Sequence, residues 1–111
     1  MTTHVLDTGV GRPAGGVRVT LEERTAGGEW ERLGSGQTGG DGRLGDLVPA
    51  GRSLRTGVHR LRFETDAYFS ARGMAGFYPE VTVVFEVADP GEHYHVPLLL
   101  SPYGYTTYRG S

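Results

Sequence analysis

The chain predicts an all-β fold: a two-sheet β-sandwich of about eight strands with one short helix near residues 66–73. Three observations carry that expectation. Short runs in which apolar and polar residues alternate recur along the 111 residues, which is the period of a half-buried strand. Nineteen glycines and six prolines separate those runs at turn-like spacing. A single segment carries helix start and stop marks.

Val17-Arg18-Val19-Thr20-Leu21-Glu22 is the first clean alternation. A strand follows around Trp30 to Leu33, between Gly-rich turns at Gly27-Gly28 and Gly34 to Gly40. His59 to Glu64 alternates again, with Leu61 and Phe63 inward and the charged side chains outward; His59 reads as structural. In Asp66-Ala67-Tyr68-Phe69-Ser70-Ala71-Arg72-Gly73, Asp66 is expected to cap the free N–H groups of a helix that Gly73 ends. Val81 to Val87 is the strongest strand, with Val81, Val83, Phe85 and Val87 on one face. From His93 onward, His95, Pro97 and Leu99 share one face, while Tyr94, Val96, Leu98 and Leu100 form the better core face. Pro97 lacks an N–H, so this strand is expected near an edge or with a bulge. A final strand beside it brings Thr106, Tyr108 and Gly110 onto one face, and Ser111 then supplies both a hydroxyl and a carboxylate.

Composition narrows the function classes. A hydrophobic fraction of 37% and a charged fraction of 22% are those of a soluble globular protein, and one domain spanning 1–111 is expected. The net charge of -2 gives no reason to expect nucleic acid or an anionic membrane as partner. All eleven basic residues are Arg, so lysine Schiff-base chemistry is excluded. Without Cys there is no disulfide, thiolate nucleophile or cysteine-bound zinc. Met1 to Asp7 lacks a cationic segment followed by an apolar run, and a cytoplasmic location is the expectation.

Histidine titrates near neutrality and suits general acid–base work, which makes His4 and His95 candidates. Each taken alone is more often a hydrogen-bonded structural residue. His93 and His95 have a spacing that suits zinc or copper, but no further ligand is evident. Arg43 follows the turn pair Asp41-Gly42, and by itself reads as a solvated loop residue. Asp7, Asp41, Asp46 and Asp66 read as turn or cap residues, Arg109 equally well as a structural ion pair, and the Tyr-rich C-terminal run as an interface strand.

Tyr94-His95-Val96-Pro97-Leu98-Leu99-Leu100-Ser101-Pro102, followed by Tyr108-Arg109-Gly110-Ser111, resembles the signature of the 5-hydroxyisourate hydrolases, transthyretin-related enzymes of urate breakdown. Thr3-His4-Val5-Leu6-Asp7 with Gly11-Arg12-Pro13-Ala14 is similar to that family's N-terminal motif. Thr38-Gly39-Gly40-Asp41-Gly42-Arg43 resembles its central turn, where the family more often has a polar residue at the position of Gly39. Transthyretin itself shares the Leu-Leu-Ser-Pro-Tyr run but lacks the histidine at the position of His95 and the terminal tetrapeptide.

The resemblance implies a transthyretin-like sandwich forming a homotetramer, a dimer of dimers, with active sites in a channel between dimers. It implies a metal- and cofactor-independent hydrolysis of a cyclic amide in a small purine-derived substrate. The catalytic positions it implies are His4, Arg43, His95 and Ser111. Substrate would be bound by His4, Arg43, Tyr108, Arg109 and Gly110. One histidine would activate water while the other orients it or protonates the leaving nitrogen, and the division between them stays open. Two other classes are a non-catalytic transthyretin-like carrier of an aromatic small molecule and a purely structural sandwich. A general base beside a fixed polar chain end favours the enzyme, because a carrier needs neither.

Overall fold

The strongly alternating segments become one sheet of the computed structural model, which describes residues 1–111. Its strands are β3 (Arg18–Arg24), β4 (Trp30–Gln37), β6 (Gly57–Phe63) and β7 (Val81–Val87), in the spatial order β4-β3-β6-β7. All neighbours are antiparallel, with Val19 opposite Phe63 and Leu21 opposite Leu61. These four side chains are fully buried, because period-2 alternation sends them all to one face. On the other face Glu22 accepts hydrogen bonds from Arg60 Nε at 2.7 Å and Arg62 Nε at 2.8 Å.

The second sheet contains β1 (Thr3–Asp7), β2 (Arg12–Pro13), β8 (Leu98–Ser101) and β9 (Gly104–Thr107), in the order β2-β1-β8-β9, with β5 (Arg43–Leu44) also paired to β1. β1 and β8 run parallel, with Val5 opposite Leu98. Val5, Leu98 and Leu100 meet Val19, Leu21, Leu61 and Phe63 in one buried cluster between the sheets. The helix α1 (Thr65–Ala71) adds Tyr68 and Phe69 to the same core. Two packed sheets and one short helix are the architecture expected from the pattern.

Three local readings change. α1 starts at Thr65 with Glu64 at its N-cap position and no side-chain cap bond. Asp66 lies inside the first turn, where its amide donates to Pro79 O at 3.4 Å, so it does not cap. Gly73, with φ +69°, ends the helix as expected. The stretch from Gly34 to Gln37 is strand, and the turn begins only at Thr38. Glycine is needed there for closeness: a Cβ on Gly34 would stand 1.8 Å from Leu47 O, and one on Gly36 would meet Leu44 at 2.9 Å.

The third change concerns Pro97. β8 is not itself an edge strand: it lies one strand in from the β9 edge, between β1 and β9. The ladder does break at Pro97. Pairing stops after Leu98 and returns only as isolated bridges from His95 to Thr2 and to Gly110. A missing N–H is tolerated at this gap because no ladder bond is asked of it.

Candidate active site

The gap leaves His95 held by one backbone bridge on each side. The Gly110 amide donates to His95 O at 2.8 Å, and Thr2 O accepts from Val96 N at 3.1 Å. Tyr94, Val96 and Leu98 are buried, so the alternation turns His95 to the outer face of the sheet. Thr3, Val5 and Asp7 are the buried residues of β1, which sends His4 outward to the same side.

Arg43 reaches that face through the turn Thr38 to Arg43. Buried Thr38 locks the turn, its hydroxyl donating to Ala14 O at 2.7 Å and accepting from Val17 N at 2.9 Å. Gly42 has φ +78°, and a Cβ there would lie 2.4 Å from Val5 O, so no other residue lets the turn press against β1 in this way. The Asp41 carboxylate accepts the Arg43 amide at 3.0 Å, as a turn aspartate does. β5 then pairs with β1 so that His4 and Arg43 are direct cross-strand partners on one face. His4 Nε2 donates to Asp41 O at 2.9 Å, which anchors its ring.

Arg43, His95 and Ser111 line one cavity of about 320 Å³. Thr2 and His93 line it as well. His95 is held below the ordinary histidine range first by burial, then by the nearness of His4, His93 and Arg43, with hydrogen bonding to Thr2 acting the other way. A neutral imidazole therefore faces a permanent guanidinium. That combination can take a proton from water and stabilise an oxyanion in the same space.

A model of the HIUase/Transthyretin family matches residues 1–110. The chain belongs to this family. It is 45% identical over 111 residues to the 5-hydroxyisourate hydrolase of Salmonella dublin, covering all of this chain and 80% of the relative. It superposes with a TM-score of 0.91 on sea bream transthyretin in complex with thyroxine, at 34% identity over 98% of this chain and 92% of the other. The 5-hydroxyisourate hydrolase of Klebsiella pneumoniae gives a TM-score of 0.84 at 34% identity, over 99% and 91%.

In this family member the C-terminal tetrapeptide splits between two places. Gly110 packs on the His95 ring and Ser111 lines its cavity. Tyr108 is exposed and borders a different space of about 200 Å³, together with Arg109, Val83 and Phe85. Arg109 Nη2 donates to Glu92 Oε2 at 2.9 Å, and its guanidinium lies 4.6 Å from the Tyr94 ring centroid. Its side chain thus ties the C-terminal segment to the loop before His95, on the side opposite the cavity.

Sequence reasoning passed over Thr2, whose hydroxyl lies 2.7 Å from His95 Nδ1. It weighed His93 only as a metal ligand. No group of three or more His, Cys, Asp or Glu in the chain is placed to hold a metal ion.

Proposed function

We propose that this chain hydrolyses 5-hydroxyisourate in urate catabolism, opening a cyclic amide of the purine-derived ring to give a ureido-imidazoline carboxylate. The observation that carries this reading is the convergence of Arg43, His95 and Ser111 on one cavity, with His4 beside Arg43 on the same sheet face. Membership of a family with relatives named for this reaction supports it.

In this reading His95 is the base. Its Nδ1 is occupied by Thr2, so Nε2 takes the proton as water attacks the ring carbonyl. Arg43 holds the ring oxygens and stabilises the charge growing on the attacked oxygen, a contribution of about 3–4 kcal/mol for preorganised donors. His4, anchored through Nε2 to Asp41 O, has Nδ1 to orient water or to serve the leaving nitrogen. Ser111 hydrogen-bonds water or substrate. Gly110 shapes the wall behind His95, Tyr108 meets substrate from outside the single-chain cavity, and Arg109 acts through the segment it ties down.

The working form is a homotetramer, a dimer of dimers of this single domain spanning 1–111, located in the cytoplasm. Exposed Phe77, Tyr103, Tyr105 and Tyr108 support an assembly that covers them. No helix is long and apolar enough to cross a membrane.

The test is to generate 5-hydroxyisourate from urate and follow its ultraviolet decay with and without the protein. Protein-dependent acceleration is the expected result. Unaltered decay rejects the hydrolase reading. The carrier reading, favoured by the likeness to thyroxine-bound transthyretin, would then be taken up by measuring binding of an aromatic ligand.

A further inference from the structure

Thr2 belongs to no motif that marks the site, yet it stands between two imidazoles. Its hydroxyl is 2.7 Å from His95 Nδ1 and 3.4 Å from His93 Nε2. Its backbone is clamped to the same segment, the amide donating to Tyr94 O at 3.0 Å and the carbonyl accepting from Val96 N at 3.1 Å. The hydroxyl is therefore placed by the parallel bridge between Thr2 and His95, not by a free rotor at a chain end.

A hydroxyl has one proton to give and two lone pairs to receive. When both imidazoles are neutral, it donates to one nitrogen and accepts from the other. The two rings must then present opposite partners to it, one bare nitrogen and one N–H. A free imidazole is under no such constraint, whereas a general base must have its lone pair on the nitrogen that faces the reaction.

We propose that Thr2 is a positioning residue that sets the tautomer of His95. His95 Nδ1–H donates to Thr2 Oγ1, and the Thr2 proton goes to the bare Nε2 of His93. That leaves the lone pair of His95 on Nε2, which has no partner within the chain. The direction of this chain of hydrogen bonds rests on the hydrolytic reading above. With the opposite direction, His95 Nε2 would carry the proton and offer no base. His93 is exposed while His95 is partly buried, so the inner ring is governed and the outer ring serves as the acceptor.

The test pairs kinetics with a direct view of the proton. Thr2→Val keeps the shape and removes the hydroxyl, and Thr2→Ser restores it. We expect Thr2→Val to lower kcat on 5-hydroxyisourate roughly 10- to 100-fold, the range for removing an outer hydrogen-bond partner of a functional histidine. KM should hold, and Thr2→Ser should recover most of the loss. Nitrogen NMR of ring-labelled histidine should show His95 with Nδ1 of the N–H type and Nε2 of the bare type in the native chain, and a shift toward the other tautomer in Thr2→Val. A native spectrum with the proton on Nε2 overturns the proposal. So does a kcat loss that serine does not rescue, or a Thr2→Val enzyme as fast as the native one. If the native chain fails to hydrolyse 5-hydroxyisourate, the hydrolytic reading falls instead, and the spectrum still decides the hydrogen-bond assignment by itself.

Discussion

Gly110 and His95 fit together as a backbone against a ring: the glycine amide bonds the histidine carbonyl at 2.8 Å, and a Cβ on Gly110 would stand 2.5 Å from His95 Cδ2. Such a methyl would also meet Pro97 Cγ at 3.4 Å, so it is the ring that has to move. Gly110→Ala should therefore push the imidazole out of place. A shift of about 1 Å in a reacting group costs about 100-fold in rate. Turnover should drop by that order while the melting temperature barely moves. Unchanged turnover would show that the ring's position is not what the glycine protects.

His95→Asn removes the base while keeping a planar polar side chain. The expected loss in kcat is about 100- to 10,000-fold, the usual worth of a positioned proton acceptor. Circular dichroism should match the native chain, since His95 is not part of the buried cluster. Near-native turnover would take His95 out of the mechanism.

The acid limb of kcat/KM should report His95. Burial and then the nearness of His4, His93 and Arg43 hold it below 6.5, and its neutral form is the active one. Activity should persist down through that value and fall only as pH passes the lowered one. Folding stability should begin to erode earlier, from about 6.5 downward, because the unfolded chain takes up the proton first, and should level off below the lowered value. His93→Gln removes one neighbour that disfavours a charge on His95, so it should move the limb upward. A limb that stays where it was would separate His93 from the electrostatics of the site.

A fourth expectation concerns the scaffold. Tyr68 OH donates to Asp7 Oδ2 at 2.8 Å, both residues being buried, and Gly9 N donates to Asp7 Oδ1 at 2.9 Å. Burial, then the bond to Asp7, pushes Tyr68 up to about 12. Its contribution is complete below the unfolded value of 10.0 and disappears as pH rises through about 12. Tyr68→Phe should cost about 1–3 kcal/mol by leaving a buried carboxylate short of a donor. Denaturant unfolding measures the cost, and an alkaline tyrosine titration should lose its step near 12. A variant as stable as the native chain would show that Asp7 finds another donor.

Much of this fold was legible because strand alternation is a local signal. Val19, Leu21, Leu61 and Phe63 announce their face without reference to anything distant. Glycine is ambiguous, since it serves both for turning and for closeness. Gly34 and Gly36 read as a turn, yet the reason for them lies at Leu47 and Leu44, which the sequence brings near only after folding. Thr2 escaped notice for a similar reason. A threonine has no signature of its own, and its importance comes from pairing with a residue 93 positions away. Alternation puts Arg109 opposite Gly110 but would keep Tyr108 on the Gly110 face; the chain leaves the strand at Tyr108, which joins Arg109 instead, and no local pattern announces that.

The bridge from Thr2 to His95 has a kinetic meaning. Contacts this distant along the chain form late, since loop closure has to be met before they return anything. During refolding, recovery of turnover should trail the recovery of secondary structure, making enzyme activity itself a clock for the last event in assembly.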